Sequence, residues 1–64
     1  QDAYLASANL EKVDLRGNKL KGVNLWLANL RSANMSNIDL QGVNLRIADL
    51  SYAKLNQANL VYTD

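Results

Sequence analysis

The side chains that could do chemistry in this 64-residue sequence are few. Histidine and cysteine are absent, which removes the commonest general base, the thiolate nucleophile and the usual ligands of zinc. Hydroxyl groups are supplied by three tyrosines and by Ser7, Ser32, Ser36, Ser51 and Thr63. None of them has a candidate base at a spacing that suits nucleophilic catalysis. The sequence therefore predicts a protein that is not an enzyme, with no catalytic, cofactor or metal site.

The composition argues against nucleic-acid-binding, disordered and membrane-spanning proteins. Seven Lys and Arg against six Asp and Glu give a net charge of +1, and the basic residues form no continuous stripe. Because a nucleic-acid groove needs such a stripe with aromatic residues between, we expect no nucleic-acid partner. Hydrophobic residues make up 48%, too many for a disordered tail, and no apolar run approaches the roughly 18 residues of a membrane span. The composition does not indicate a cellular compartment.

One pattern repeats along the whole sequence with a period of five residues. A leucine stands at every fifth position from Leu5 to Leu60, except that Met35 replaces it once. We term this position the centre slot. The residue two before it is mostly Ala, Val or Ile (the small slot), and the residue between them is mostly Asn or Asp (the polar slot). The two residues that follow the centre (the turn slots) vary and contain all three glycines.

A period of five fits no single regular element. On an α-helix, five residues advance roughly 500°, so the leucines form no stripe; on a straight strand they change face at every repeat. They share one side only if the chain turns a corner after each pentad. Gly17, Gly22 and Gly42 all lie in the second turn slot, where a corner requires or tolerates positive φ. The sequence therefore predicts an all-β solenoid with the centre and small slots inside.

The charges indicate how many pentads make one coil. Stacked residues in adjacent coils lie about 4.8 Å apart, so like charges there are destabilising. A 15-residue coil would stack three arginines and a 25-residue coil three aspartates. A 20-residue coil stacks no like charges, and it sets Glu11 against Arg31 and Lys19 against Asp39. We therefore expect four pentads per coil and about three coils, with no paired carboxylates for acid–base chemistry or calcium binding.

These pentads resemble the A-(D/N)-L-x-x motif of the pentapeptide-repeat family. The clearest copies are Ala8-Asn9-Leu10, Ala28-Asn29-Leu30, Ala33-Asn34-Met35, Ala48-Asp49-Leu50 and Ala58-Asn59-Leu60. The resemblance covers nearly the whole chain and implies a right-handed, four-sided β-helix with about 20 residues per coil. Leucine-rich repeats are excluded because their leucines come at mixed spacings of two and three. The motif is architectural, so the resemblance implies no catalytic residue.

We expect residues 1–64 to form a single β-helix domain within a longer chain. The sequence begins with the turn slots Gln1-Asp2 and ends with Thr63-Asp64, the first two slots of another pentad. About three coils would leave two open β-edges, which solenoid proteins normally cap. The alternative is a short module that is capped by a partner or by its own dimer.

One set of turn slots is unusually apolar. Trp26 and Leu27 follow one centre leucine, and Arg46 and Ile47 would stack directly on them in the next coil. Trp and Arg are enriched at binding hot spots, and an indole beside a guanidinium allows cation–π contact. We name these four residues the corner patch. We predict that it docks either a protein partner or another segment of the same chain.

Two functions remain. The first is a non-catalytic scaffolding or protein-interaction module that presents a rigid solenoid surface within a larger protein or assembly. The second follows from the resemblance alone, since some family members look like double-stranded DNA, bind DNA gyrase and confer quinolone resistance. That mechanism needs a strongly acidic face along a long dimeric rod, whereas the net charge here is +1 and the acids are scattered. We therefore expect the first function, and the sequence leaves the oligomeric state open.

Overall fold

The structure, a computed structural model, describes residues 4–60 and residue 63. This part of the chain contains no helix and no continuous strand; single β-bridge residues alternate with two-residue turns. Every β-bridge is parallel and joins residues 20 apart, the period that the charges favour. The bridges pair Tyr4 with Asn24, Asn9 with Asn29, Asp14 with Asn34, Asn24 with Asn44, Asn29 with Asp49, Asn34 with Lys54 and Asp39 with Asn59. We number the coils from these bridges, beginning at residues 4, 24 and 44.

Backbone hydrogen bonds join adjacent coils in a regular pattern. The N–H of a centre residue donates to the carbonyl of a polar-slot residue in the next coil, as from Leu25 to Asn44 at 2.8 Å. The N–H of a polar-slot residue donates to a small-slot carbonyl in the coil before, as from Asn29 to Ala8 at 2.9 Å. Each side of a coil is therefore a strand reduced to one bridge, because a turn follows every pentad.

A β-turn separates successive sides of a coil. The N–H of a small-slot residue donates to the preceding centre carbonyl, as from Ala28 to Leu25 at 3.0 Å. The second turn slot has a positive φ from residue 7 to residue 57, between 59° and 80°, which is the pattern of a type II turn. The prediction of positive φ at Gly17, Gly22 and Gly42 is confirmed, with values of 80°, 75° and 74°.

Side chains in the polar slot stabilise these corners. In eight corners, the Oδ1 atom of Asn or Asp accepts a hydrogen bond from the backbone N–H two residues later, at 3.0–3.2 Å. This Asx turn satisfies a donor that the ladder between coils does not use. It is the physical reason why Asn and Asp dominate the polar slot.

The core is built from the centre and small slots alone. Every buried hydrophobic side chain occupies one of these two slots, as the period predicts. Burial is deepest in the second coil, where Leu25, Leu30, Met35 and Leu40 are all 0% exposed because a coil covers them on each side. Leu60 is 47% exposed, since the described residues place no coil above it.

One of the described polar-slot residues makes no β-bridge. Lys19 lies outside the β-bridges, although every other described polar-slot residue belongs to one, so it does not bridge to Asp39. The cause is the preceding residue, Asn18, which fills a small slot where an unpaired amide in the core would be costly. Its Nδ2 atom instead donates to the Leu15 carbonyl at 3.1 Å, and Asn18 stays exposed.

Candidate docking surface

The corner patch lies on the outside of one corner of the solenoid. Trp26 and Leu27 form the turn slots in the second coil, and Arg46 and Ile47 form them in the third. The Leu27 N–H donates to the Arg46 carbonyl at 3.0 Å, which fixes the stacking of the two coils here. The Trp26 N–H donates to Asn24 Oδ1 at 3.0 Å. These two hydrogen bonds therefore fix the backbone from which the side chains of Trp26 and Leu27 project.

The apolar side chains of the corner patch are exposed to solvent. Trp26 is 40% exposed, Leu27 45% and Ile47 71%, and Arg46 is also exposed. The three apolar side chains present on the order of 300 Å² to water, the size of the largest patches on many monomeric proteins. Patches of this size often mark interaction sites.

The backbone of this corner is also unfavourable for its side chains. Leu27 has a φ of 62° and Ile47 a φ of 63°. The left-handed region disfavours any residue with a Cβ atom, and it is rarest for β-branched residues. Ile47 is the one β-branched residue in the second turn slot among the corners that the structure describes. The corner patch thus combines solvent-exposed apolar surface with local strain.

Replacing Ile47 with Asn should stabilise the fold by about 1 kcal/mol. Asn tolerates the left-handed region better than Ile, and little buried surface is lost because Ile47 is 71% exposed. The free energy of unfolding in urea measures the effect. Asn37, with a φ of 63° in the same slot of another corner, provides the matched reverse change. Asn37→Ile should destabilise by a similar amount, and equal stability of all three proteins would contradict the strain.

Tyr4 belongs to the same surface, and the sequence pattern did not assign it to the corner patch. It occupies the polar slot just before this corner in the first coil, and it is 74% exposed. Its ring cannot make the Asx turn that Asn24 and Asn44 make at the corners stacked above it. The sequence contains a feature that could have identified this residue, because Tyr4 is the only aromatic residue in a polar slot.

Two aspartates that are not part of the corner patch, Asp14 and Asp49, are held in their charged form. Asp14 accepts hydrogen bonds from Arg16 Nε at 2.9 Å and Arg16 Nη2 at 2.7 Å, and these bonds lower the pKa of Asp14 to about 2. The Ser51 hydroxyl, 2.6 Å from Asp49 Oδ1, and the Ser51 N–H lower the pKa of Asp49. A general acid at neutral pH requires the opposite shift.

Arg31 forms its ion pair with Asp49 rather than with Glu11, the residue expected to face it. The Arg31 Nη1 atom lies 3.4 Å from Asp49 Oδ2. Ser51 binds the other oxygen, Oδ1, which leaves Oδ2 turned towards the guanidinium. The long arginine side chain therefore reaches diagonally to a fixed carboxylate.

Within the described residues, no group of three or more acidic, His or Cys residues could hold a metal, and no helix is long and apolar enough to cross a membrane.

Three solved structures with the same fold come from one plant and two cyanobacteria. A pentapeptide repeat protein from the thylakoid lumen of Arabidopsis thaliana matches 95% of this chain with a TM-score of 0.91 and 28% identity. The pentapeptide repeat protein Rfr23 of the cyanobacterium Cyanothece 51142 matches 95% with a TM-score of 0.85 and 36% identity. HetL of Nostoc sp. strain PCC 7120, involved in heterocyst differentiation regulation, matches 94% with a TM-score of 0.65 and 38% identity. These similarities imply a right-handed quadrilateral β-helix.

The chain spans less than half of each of these proteins: 42%, 40% and 27% of their lengths, respectively. No curated protein matches the sequence significantly. The family model for pentapeptide repeats matches eight copies, over residues 8–46 and 27–60. These matches cover most of the chain and coincide with the pentads that build its bridges and corners. The chain therefore belongs to the pentapeptide repeat family.

Proposed function

We propose that this chain is a non-catalytic scaffolding or protein-interaction module, built from about three 20-residue coils, whose docking surface is the corner patch. The observation that carries the proposal is that two stacked apolar side chains, Leu27 and Ile47, are both exposed and strained at one corner. Tyr52, 84% exposed at a φ of 62°, combines the same two features as a single residue. Ile47 is 71% exposed at a φ of 63°, and Leu27 is 45% exposed at a φ of 62°. Neither choice stabilises the fold, because a polar residue or glycine would suit the same slot better.

Tyr4 adds a third unfavourable choice at the same surface. It gives up the hydrogen bond that an Asn or Asp side chain would accept from the backbone N–H two residues later, and it leaves an aromatic ring 74% exposed. Local rules that are broken together at one place favour a functional explanation over a structural one. Tyr4, Trp26 and Arg46 also supply the three residue types that dominate binding hot spots.

Catalysis has no comparable support. The sequence contains no histidine or cysteine, and the carboxylates of Asp14 and Asp49 already bind neighbouring side chains in the corners. Their lowered pKa values make them weak bases and keep them from acting as acids near neutral pH. These groups are best explained as parts of the turns.

Retention of a partner by the intact chain tests the proposal. We expect Trp26→Ala with Ile47→Ser to abolish retention of partners captured from the source organism, identified by mass spectrometry, while the far-UV circular dichroism is unchanged. Asn56→Ala with Gln57→Ser is the matched control, since these residues form a polar corner of the third coil, which also contains Ile47.

Three other results of the capture experiment would contradict or change this proposal. Unchanged retention by the patch variant would exclude the corner patch as the interface. Gyrase subunits in the eluate, retained through other residues, would favour the DNA-mimic function instead. An empty eluate would mean that the corner patch is covered by another segment of the chain or by a second copy of it.

A further inference from the structure

We propose that the corner patch, together with Tyr4, binds a second copy of this chain in an antiparallel, corner-to-corner dimer. The inference rests on the proposed function, because it names the partner that the docking surface takes. Three features carry it: the exposed area, the distribution of large and small side chains along the corner, and the position of the one positive charge.

The exposed area suits a weak dimer. Tyr4 is 74% exposed, Trp26 40%, Leu27 45% and Ile47 71%. With Arg46, these side chains present about 500 Å² per copy. If all of this surface were covered, two copies would bury at most about 1,000 Å², the lower limit for a specific interface. A dissociation constant in the micromolar range is expected, rather than the tight association of an obligate dimer.

The sizes of the side chains change along the corner in a way that is self-complementary. Ala6 and Ser7 occupy the turn slots of the first coil, and the Ser7 N–H donates to the Trp26 carbonyl above it at 2.8 Å. The third coil places the larger Arg46 and Ile47 in the same slots. A two-fold axis through the second coil sets the first coil of one copy against the third coil of the other. Large side chains then lie over small ones at both ends of the interface.

The charge selects the antiparallel arrangement. Parallel pairing would place Arg46 against the Arg46 of the second copy, and like charges facing each other across an interface are strongly unfavourable. Antiparallel pairing places Arg46 over the small Ala6 of the second copy instead. Tyr4 stands two residues before Ala6 and is 74% exposed, so we expect its ring to make a cation–π contact with this guanidinium.

Sedimentation equilibrium of the purified, intact chain tests the dimer, up to about 500 µM, well above the expected dissociation constant. We expect a monomer–dimer equilibrium that Trp26→Ala weakens at least about tenfold. Gln57→Ala, in the polar corner, should leave it unchanged. Ile47→Asn should weaken it while raising the stability of the fold, so unfolding cannot explain the loss. A monomer at every concentration would overturn the dimer, whereas capture of another protein through the corner patch would still support the proposed function.

A double-mutant cycle tests the orientation of the two copies. Tyr4→Asn and Arg46→Ala should each weaken the dimer, and together by less than the product of their separate factors, because antiparallel pairing brings the two side chains together. Tyr4→Asn also restores a polar residue to the corner, which keeps the variant folded. Strictly independent effects of the two substitutions would overturn the antiparallel arrangement.

Discussion

Leu30→Asp should unfold the solenoid. Leu30 is 0% exposed in the centre slot of the second coil, and its N–H donates to the Asp49 carbonyl in the third coil at 2.9 Å. A carboxylate there would be buried without a partner, at a cost of several kcal/mol. A chain of this size has only about 3–10 kcal/mol of total stability. We therefore expect the cooperative thermal transition, followed by far-UV circular dichroism, to disappear.

Two control variants separate burial from the loss of a leucine. Leu30→Met keeps the volume and the apolar character, so it should cost less than about 1.5 kcal/mol. Leu60→Asp changes the same slot where the side chain is 47% exposed, and its carboxylate can remain hydrated. A cooperative melt of Leu30→Asp close to that of the unaltered protein would disprove the proposed interior.

The interior of the fold could be predicted from the sequence because it depends only on the period. A residue type that recurs every five positions must face one side if each pentad ends in a corner, and all buried hydrophobic side chains do occupy the predicted slots. The 20-residue separation was also accessible, since like charges stack at the competing periods. These inferences need no knowledge of individual contacts.

The backbone at the corners was only partly predictable. Three glycines signalled positive φ, yet Lys12 and Tyr52 adopt it as well, at 62° each. Closing a coil requires the same turn after every pentad, so the fold imposes the conformation whatever residue is present. Lys19 shows the opposite effect, because the neighbouring Asn18 locally interrupts the bridges. A single polar residue in a small slot has a consequence that the repeat pattern does not reveal.

The candidate site was found in part for the same reason. Trp26 and Ile47 stand in turn slots that must face solvent, so their apolar character is visible in the sequence. Tyr4 was not assigned to this surface from the sequence. An aromatic residue in a polar slot suggests a binding role only when the residues that surround it in the fold are known. The strain at Ile47 required the backbone angles. The sequence therefore indicates an exposed apolar surface, and the structure adds the unfavourable backbone angles of Leu27 and Ile47.

Ala33→Leu should destabilise the fold by about 1–3 kcal/mol, because an interior packed on all sides cannot take the added atoms without moving side chains or backbone. Ala33 is 0% exposed in the second coil, and Ala53 stands above it in the same slot of the third coil, only partly buried. Ala53→Leu is therefore the matched control, and it should cost clearly less. Urea unfolding of both variants measures the difference. Equal losses of stability in the two variants would contradict this prediction. The second coil would then be no more tightly packed than the third, and the small slot would not require a small side chain.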